Sequence, residues 1–409
     1  VEEAIKDDSR RKIWGLHPNV FFMGMTSLLT DVSSEMIFTL IPIYLTNVLR
    51  APVAIVGVVG GVSEGADALF RMLSGWFSDK IGKRKILAVS GYSISTVAKP
   101  FLYLASAWGG VLGVRFADRL GKGIRSSSRD ALIADSISSD ERGRAFGLHR
   151  AMDTTGAFLG LLITVLVVWL VLGADAQKLT RGVFQGLAWG CAIPGVIAVV
   201  LLQVFVREMK REKAPGAATR FPLSGVRGLF STRFWIFLAI LGLFNLGSMP
   251  HNYFCIMRAQ DLGAPLLQVL LMVVLFNAIY AVAALPMGIL SDRLGRRKIL
   301  ALGWLIYTLV YLGFALSSTA WHVWLAFACL GVYFAIIEGV SRAFVADLAP
   351  AELRGTAYGL YHCVVGICVL AGGIIGGVVW DEISPAATFY FGAGLAFLAM
   401  LGIVTLVKE

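Results

Sequence analysis

Charged residues interrupt apolar stretches of this chain, and their types suit proton exchange and the holding of a charged or polar solute. Asp31 and Glu35 lie in the first stretch, Glu64, Asp67 and Arg71 in the second, and Lys99 before Pro100 in the third. The fourth carries Arg115, Asp118, Arg119, Lys122, Arg125 and Arg129, and the fifth His149, Arg150 and Asp153. If these stretches are helical, steps of three and four put Asp31 with Glu35, Asp67 with Arg71, and Arg115 with Arg119 and Lys122 on shared faces. A central charge costs about 2.5 to 3.5 kcal/mol on insertion scales, so exposing Asp31 and Glu35 to lipid would cost on the order of 5 to 7 kcal/mol. These side chains therefore face the protein interior or a water-filled cavity.

The elements that must position them follow from composition. Of 409 residues, 57% are hydrophobic and 15% charged, too little polar surface to coat a soluble globule. A membrane-crossing helix needs about 20 mainly apolar residues, and such stretches recur along the whole chain. The predicted fold is an all-α membrane protein of twelve transmembrane helices in two pseudo-symmetric six-helix bundles. The expected organisation is a cytoplasmic tail over residues 1–19, a first bundle over 20–206, a cytoplasmic linker over 207–233 and a second bundle over 234–409. Residues 1–12 are charged and the first apolar stretch is too long for a signal peptide, so it is expected to remain as the first helix.

The net charge of +10 is distributed as a topology signal rather than as a nucleic-acid surface. Lys6, Arg10, Arg11 and Lys12, the run Lys80 to Lys85 and the 207–233 segment fall on one side, with few basic residues opposite. By the positive-inside rule both termini are cytoplasmic, in a multi-pass inner (plasma) membrane protein. Five cysteines at positions 191, 255, 329, 363 and 368 lie inside predicted spans without metal-ligand spacing, and read as small buried apolar groups. No zinc pattern and no phosphate-binding loop occurs, which argues against an enzyme, a metal or another cofactor.

The halves echo each other. Residues 75–85, GWFSDKIGKRK, return at 288–298 as GILSDRLGRRK, and 131–148, ALIADSISSDERGRAFGL, return at 343–360 as AFVADLAPAELRGTAYGL. The offsets, 213 and 212 residues, agree to within one residue, so the chain is a duplication. Six helices per copy leave both copies in the same orientation, the parallel-repeat arrangement of many transporters.

The doubled Gly-x-x-x-Asp-x-x-Gly-basic-basic pattern resembles the signature loop of the major facilitator superfamily, whose members are twelve-helix secondary transporters. The resemblance implies conformational gating by Gly75, Asp79, Gly82 and Arg84 in the first half and Gly288, Asp292, Gly295 and Arg296 in the second. It places Asp79 against the start of helix 11 near Gly355, and Asp292 against the start of helix 5 near Gly143. Asp31 with Pro42 downstream resembles the helix 1 acid and proline of drug:proton antiporters. Arg119 before Lys122 and Gly123 resembles their helix 4 Arg-x-x-Gln-Gly motif, with Lys in place of Gln; in helix 5, Ala157 stands where those antiporters carry proline.

Together these readings predict an alternating-access carrier, proton-coupled, that exports a small organic compound; import of an organic anion by symport is the alternative, and a transport-fold receptor is a third. Candidate substrate and proton residues are Asp31, Glu35, Glu64, Asp67, Arg115, Arg119 and Asp153 in the first half and Asn245, Glu338 and Arg342 in the second. Asp31 and Glu35 repel each other at low dielectric, so one of them is expected to change protonation during transport. Arg71, Lys99, Arg125 and Arg129 are assigned to pairing within the bundle, and His251 and His362 to ordinary interhelical bonds. Expected partners are a small-molecule substrate, protons and the lipid bilayer, with no nucleic acid and a monomer as the working unit.

Overall fold

The structure is a computed structural model that describes residues 13, 16–81, 83–137, 141–209, 230–350 and 353–407. Among these residues the chain forms twelve helical rods: α1 (Pro18–Val48), α2 (Val53–Ile81), α3 (Arg84–Ala98, continuing as a tight turn through Lys99–Leu104), α4 (Trp108–Asp135), α5 (Arg142–Leu172), α6 (Arg181–Phe205), α7 (Thr232–Asp261), α8 (Leu266–Leu294), α9 (Arg296–Leu316), α10 (Ala320–Leu348), α11 (Arg354–Glu382) and α12 (Pro385–Thr405). Ten have the length and apolarity to cross a bilayer; α3 and α4 are the other two. The exposed surface is apolar, with Leu170 67%, Ile193 66%, Val282 77% and Trp321 76% exposed, while Lys99, Arg115, Asp118 and Arg125 are buried. That inversion of the soluble pattern is what a lipid solvent dictates.

Local chemistry sets the helix ends and breaks. Pro18 and Pro385 occupy first-turn positions, where the missing N–H costs nothing, and Ser384 Oγ accepts from the Ala387 N–H as a cap. Within α1 the regular helix stops at Phe38, four residues before Pro42, whose ring conflicts with that carbonyl; a short turn at Ile41–Ile43 and a wide turn at Tyr44–Val48 follow.

The residues divide into two compact units. One comprises Val1–Leu40, Leu69–Leu166 and Arg181–Phe221; the other comprises Ile41–Ala68, Val167–Thr180 and Pro222–Glu409. A core in the first unit joins Leu16, Val20 and Met23 of the chain start to Ala88, Tyr92, Leu132, Ile133, Ala145 and Leu202. The second unit has an aromatic core in which Phe244 stacks on Trp304 at 4.9 Å, Tyr307 on Tyr311 at 4.1 Å and Phe314 on Phe389 at 5.1 Å.

The duplication is visible in matched ion pairs. Arg84 at the start of α3 donates to Ala131 O and pairs with Asp135, and Arg296 at the start of α9 donates to Ala343 O and pairs with Asp347. These equivalences run at 212 residues, whereas α2 and α8 end 213 apart. The first connector is one residue longer, and that accounts for the two offsets.

In the second unit the start of α2 is fastened to α11. A Cβ on Gly57 would stand 2.1 Å from Gly373 O, an approach only glycine permits. Beyond this seam Asp381 accepts from Val53 N at 3.1 Å and from Ala54 N at 2.7 Å, filling two orphan donors at a positive helix end. Loss of such a cap costs about 1 kcal/mol, so Asp381→Ala should raise hydrogen exchange at the first α2 amides about fivefold. Unchanged exchange there would mean that the carboxylate does not hold this helix end.

Candidate functional site

Three helices of the first unit each contribute two polar side chains one turn apart: Ser27 and Asp31 from α1, Arg125 and Arg129 from α4, and His149 and Asp153 from α5. They meet in one layer. Arg125 Nη2 lies 4.0 Å from Asp31 Oδ1, and Arg129 Nη1 lies 4.0 Å from Asp153 Oδ1 and donates to Ser27 Oγ at 3.3 Å. The Ser27 hydroxyl also bonds Tyr92 OH and His149 Nε2, each at 2.9 Å, and the Arg125 guanidinium lies 4.5 Å from the Tyr92 ring centre. Asp31 and Asp153 thus each face an arginine of α4, the two arginines standing one turn apart. Arg150, exposed on α5, approaches Asp153 Oδ2 to 3.5 Å.

Small residues make this approach possible. A Cβ on Gly156 would fall 2.2 Å from Leu28 O, so α5 lies against the α1 backbone one turn from Asp153. Coulomb attraction between unit charges 4 Å apart is about 4 kcal/mol at an effective permittivity of 20. Burying each ion costs several kcal/mol. The ion pairs, the Arg129 bond to Ser27 Oγ and the Tyr92 ring against Arg125 act against that cost.

A second, deeper layer lies between α1, α3 and α4. Lys99, fully buried, donates to Ser33 Oγ at 2.9 Å, and Asp118, 3% exposed, accepts from Ser95 Oγ. Arg115, 2% exposed, stacks its guanidinium 4.0 Å from the Phe38 ring centre and comes only to 3.8 Å from Asp118. That approach is made by Nη1, too long for a hydrogen bond; Arg115 Nε and the Nε and Nη1 of Arg125 likewise make no hydrogen bond within the protein.

Of the residues singled out from sequence, Asp31 and Asp153 come together, and Arg115 sits in the deeper layer. Glu35, half-buried, accepts from Thr39 Oγ1 at 3.1 Å, one turn along its own helix. Arg119 is half-buried on α4; Glu64 and the buried Asp67 belong to the part of α2 in the other unit. Asn245 Nδ2 donates to Leu241 O of its own helix, and Arg342 is exposed, with its carbonyl accepting from Tyr358 OH. Gly82 and the side chains at Asp79, Asp292 and Glu338, with glycines 75 and 288, lie outside the described residues. Gly295 has φ +91° and caps α9, a conformation that favours glycine.

Arg125, Arg129, Ser27, Tyr92 and His149 were not among the sequence candidates for the site. The signal for the arginines was present, because the α4 stripe 115, 119, 122 continues at the same steps through 125 and 129. Asp135 and Asp347 were legible too, since both stand in the Ala-Asp pair of the second internal echo. A groove of about 660 Å³ on α3 and α4, lined by Ile94, Val97, Phe101 and Val114, is apolar and opens on the exposed face, so it lacks the polar groups of a solute site.

Twelve helices with lipid-compatible surfaces, a duplicated architecture and buried opposite charges define a multi-pass transporter and not an enzyme. The chain belongs to the major facilitator superfamily, whose model matches residues 23–254 and 247–409. It is 34% identical over 392 residues to an uncharacterized transporter of this type from Methanocaldococcus jannaschii, covering 94% of each chain. It is 25% identical over 353 residues to a probable 4-methylmuconolactone transporter of Cupriavidus pinatubonensis, covering 81% of this chain and 76% of that one. Among solved structures, the nucleoside transporter NupG superposes with a TM-score of 0.78 at 14% identity, covering 95% of this chain and 99% of that one, a likeness of fold alone.

Proposed function

We propose that this transporter is a proton-coupled carrier that works by alternating access and exports a small organic compound in exchange for protons, from an inner membrane with both termini cytoplasmic. The reading rests on two carboxyls, Asp31 and Asp153, gathered beside Arg125 and Arg129 in one layer. Like charges gathered in one low-dielectric site repel, and uptake of a proton relieves the repulsion. Arg125 and Arg129 lie beside the pair and compete for it as counterions. A shift of α4 against α1 and α5 would change which carboxyl is matched by an arginine, and with it the affinity for the proton. That is the differential interaction that a coupled two-state cycle requires. Export is favoured by the resemblance of Asp31 and Pro42 in α1 to the drug:proton antiporters.

Symport of an organic anion is a second reading, favoured by the excess of cationic groups around Lys99 and Arg115. Reconstituted vesicles with an internal pH dye separate the two. Antiport predicts proton movement opposite to solute, and symport predicts movement in the same direction. Solute accumulation that survives collapse of the pH gradient would overturn proton coupling altogether.

A further inference from the structure

We infer that the transported compound carries a carboxylate, and that Arg115 and Lys99 receive it between α1, α3 and α4. This rests on the carrier reading above and names its substrate class, whatever the direction of transport. The two cations are 2% and 0% exposed; Asp118, held by Ser95, stands 3.8 Å from Arg115, while Lys99 bonds Ser33 Oγ. Arg119, one residue further along α4, also acts on Asp118. In the adjoining layer Arg125 faces Asp31. Arg115 and Lys99 thus border one carboxylate, Asp118, within their own layer.

The donors are arranged for an oxygen anion. Arg115 Nε is buried with no acceptor on the protein, and Nη1, also buried, makes no hydrogen bond and only faces Asp118 Oδ2 at 3.8 Å. One face of the guanidinium is covered by Phe38, which leaves the in-plane N–H edge as the bonding edge. Lys99 Nζ lies 5.8 Å from the centre of the same ring, so both cations border one half-buried aromatic side chain. A compound with an apolar body and a carboxylate head matches this set: the body displaces or packs on Phe38, and the head takes the free N–H groups. A cationic or neutral amphiphile would leave those donors unmatched and add no compensating charge.

The test is equilibrium dialysis of the purified chain, with no gradient, against a mixed panel of aliphatic, unsaturated and aromatic carboxylates. Each is accompanied by its amide and amine counterparts, and phenyl phosphate is included as another oxygen anion. Retained compounds should be carboxylates, with their amides and amines at least about tenfold weaker, the usual scale for loss of a charge-assisted pair. Arg115→Gln and Lys99→Met should lose that retention, while Arg115→Lys, which keeps the charge and guards against misfolding as the explanation, should restore part of it. Retention of amines, amides or phenyl phosphate in preference to carboxylates would overturn the assignment, as would carboxylate retention indifferent to Arg115→Gln or no carboxylate retained at all. If carboxylates bind but show no pH-linked transport in vesicles, proton coupling fails and the substrate class stands. If pH-linked transport is seen only for other compounds, coupling stands and the substrate class falls.

Discussion

Replacing Asp31 or Asp153 by asparagine is expected to lower gradient-driven transport about a hundredfold, the lower end of what loss of a proton-transferring side chain costs. Solute exchange across a membrane without a pH gradient should stay near the parent rate, because the asparagine amide keeps the shape of the carboxyl and alternating access needs no net proton movement. The pair Asp31 and Asp153 shares one site with Arg125 and Arg129 at 4.0 Å each. Removing one partner of a buried ion pair costs about 3 to 5 kcal/mol, so rates must be normalised to folded protein. Asp31→Glu, which retains a proton-binding group, should recover coupling in part. Parent behaviour in both asparagine variants, in rate and in pH dependence, would remove the pair from the coupling step and return attention to Glu35, Glu64 and Asp67.

Much of this architecture can be read from the chain because lipid imposes a simple rule. Apolar runs of span length and a duplication at 212 to 213 residues specify two six-helix halves, and the family model covers both. The least apolar rod, α4, is still a continuous helix from Trp108 to Asp135, since its charges are met by side chains of α1, α3 and α5 rather than by lipid. The pairing itself was not legible. Periodicity says that Asp31 and Glu35 share a face, or Arg115 and Arg119, but rotation of each helix against its neighbours decides which groups touch. Asp31 therefore meets Arg125, a residue that no spacing along the chain connects to it, while Glu35 turns to Thr39.

That dependence on helix rotation makes Gly156 a lever on coupling. A Cβ at Gly156 would meet Leu28 O at 2.2 Å and Leu28 C at 2.8 Å, and backbone cannot fold out of the way as a side chain can. Gly156→Val must push α5 off α1, with the cost of about 1 to 3 kcal/mol typical of overpacking, and Asp153, three residues before it, must move with the helix. Both carboxyls survive in this variant, yet gradient-driven transport should fall toward that of Asp153→Asn. Gly24 provides the contrast on the same helix pair, because its added Cβ would meet Met152 Sδ at 2.3 Å, the far end of a flexible side chain. Gly24→Ala should therefore be mild and be relieved further by Met152→Ala, whereas Leu28→Ala should give no relief to Gly156→Val, the obstacle there being main chain. Vesicle transport for the four variants, beside a distance measurement between probes on α1 and α5, tests the argument. Equal transport in Gly24→Ala and Gly156→Val would mean that the close approach of these two backbones does not set the geometry of the carboxyl pair.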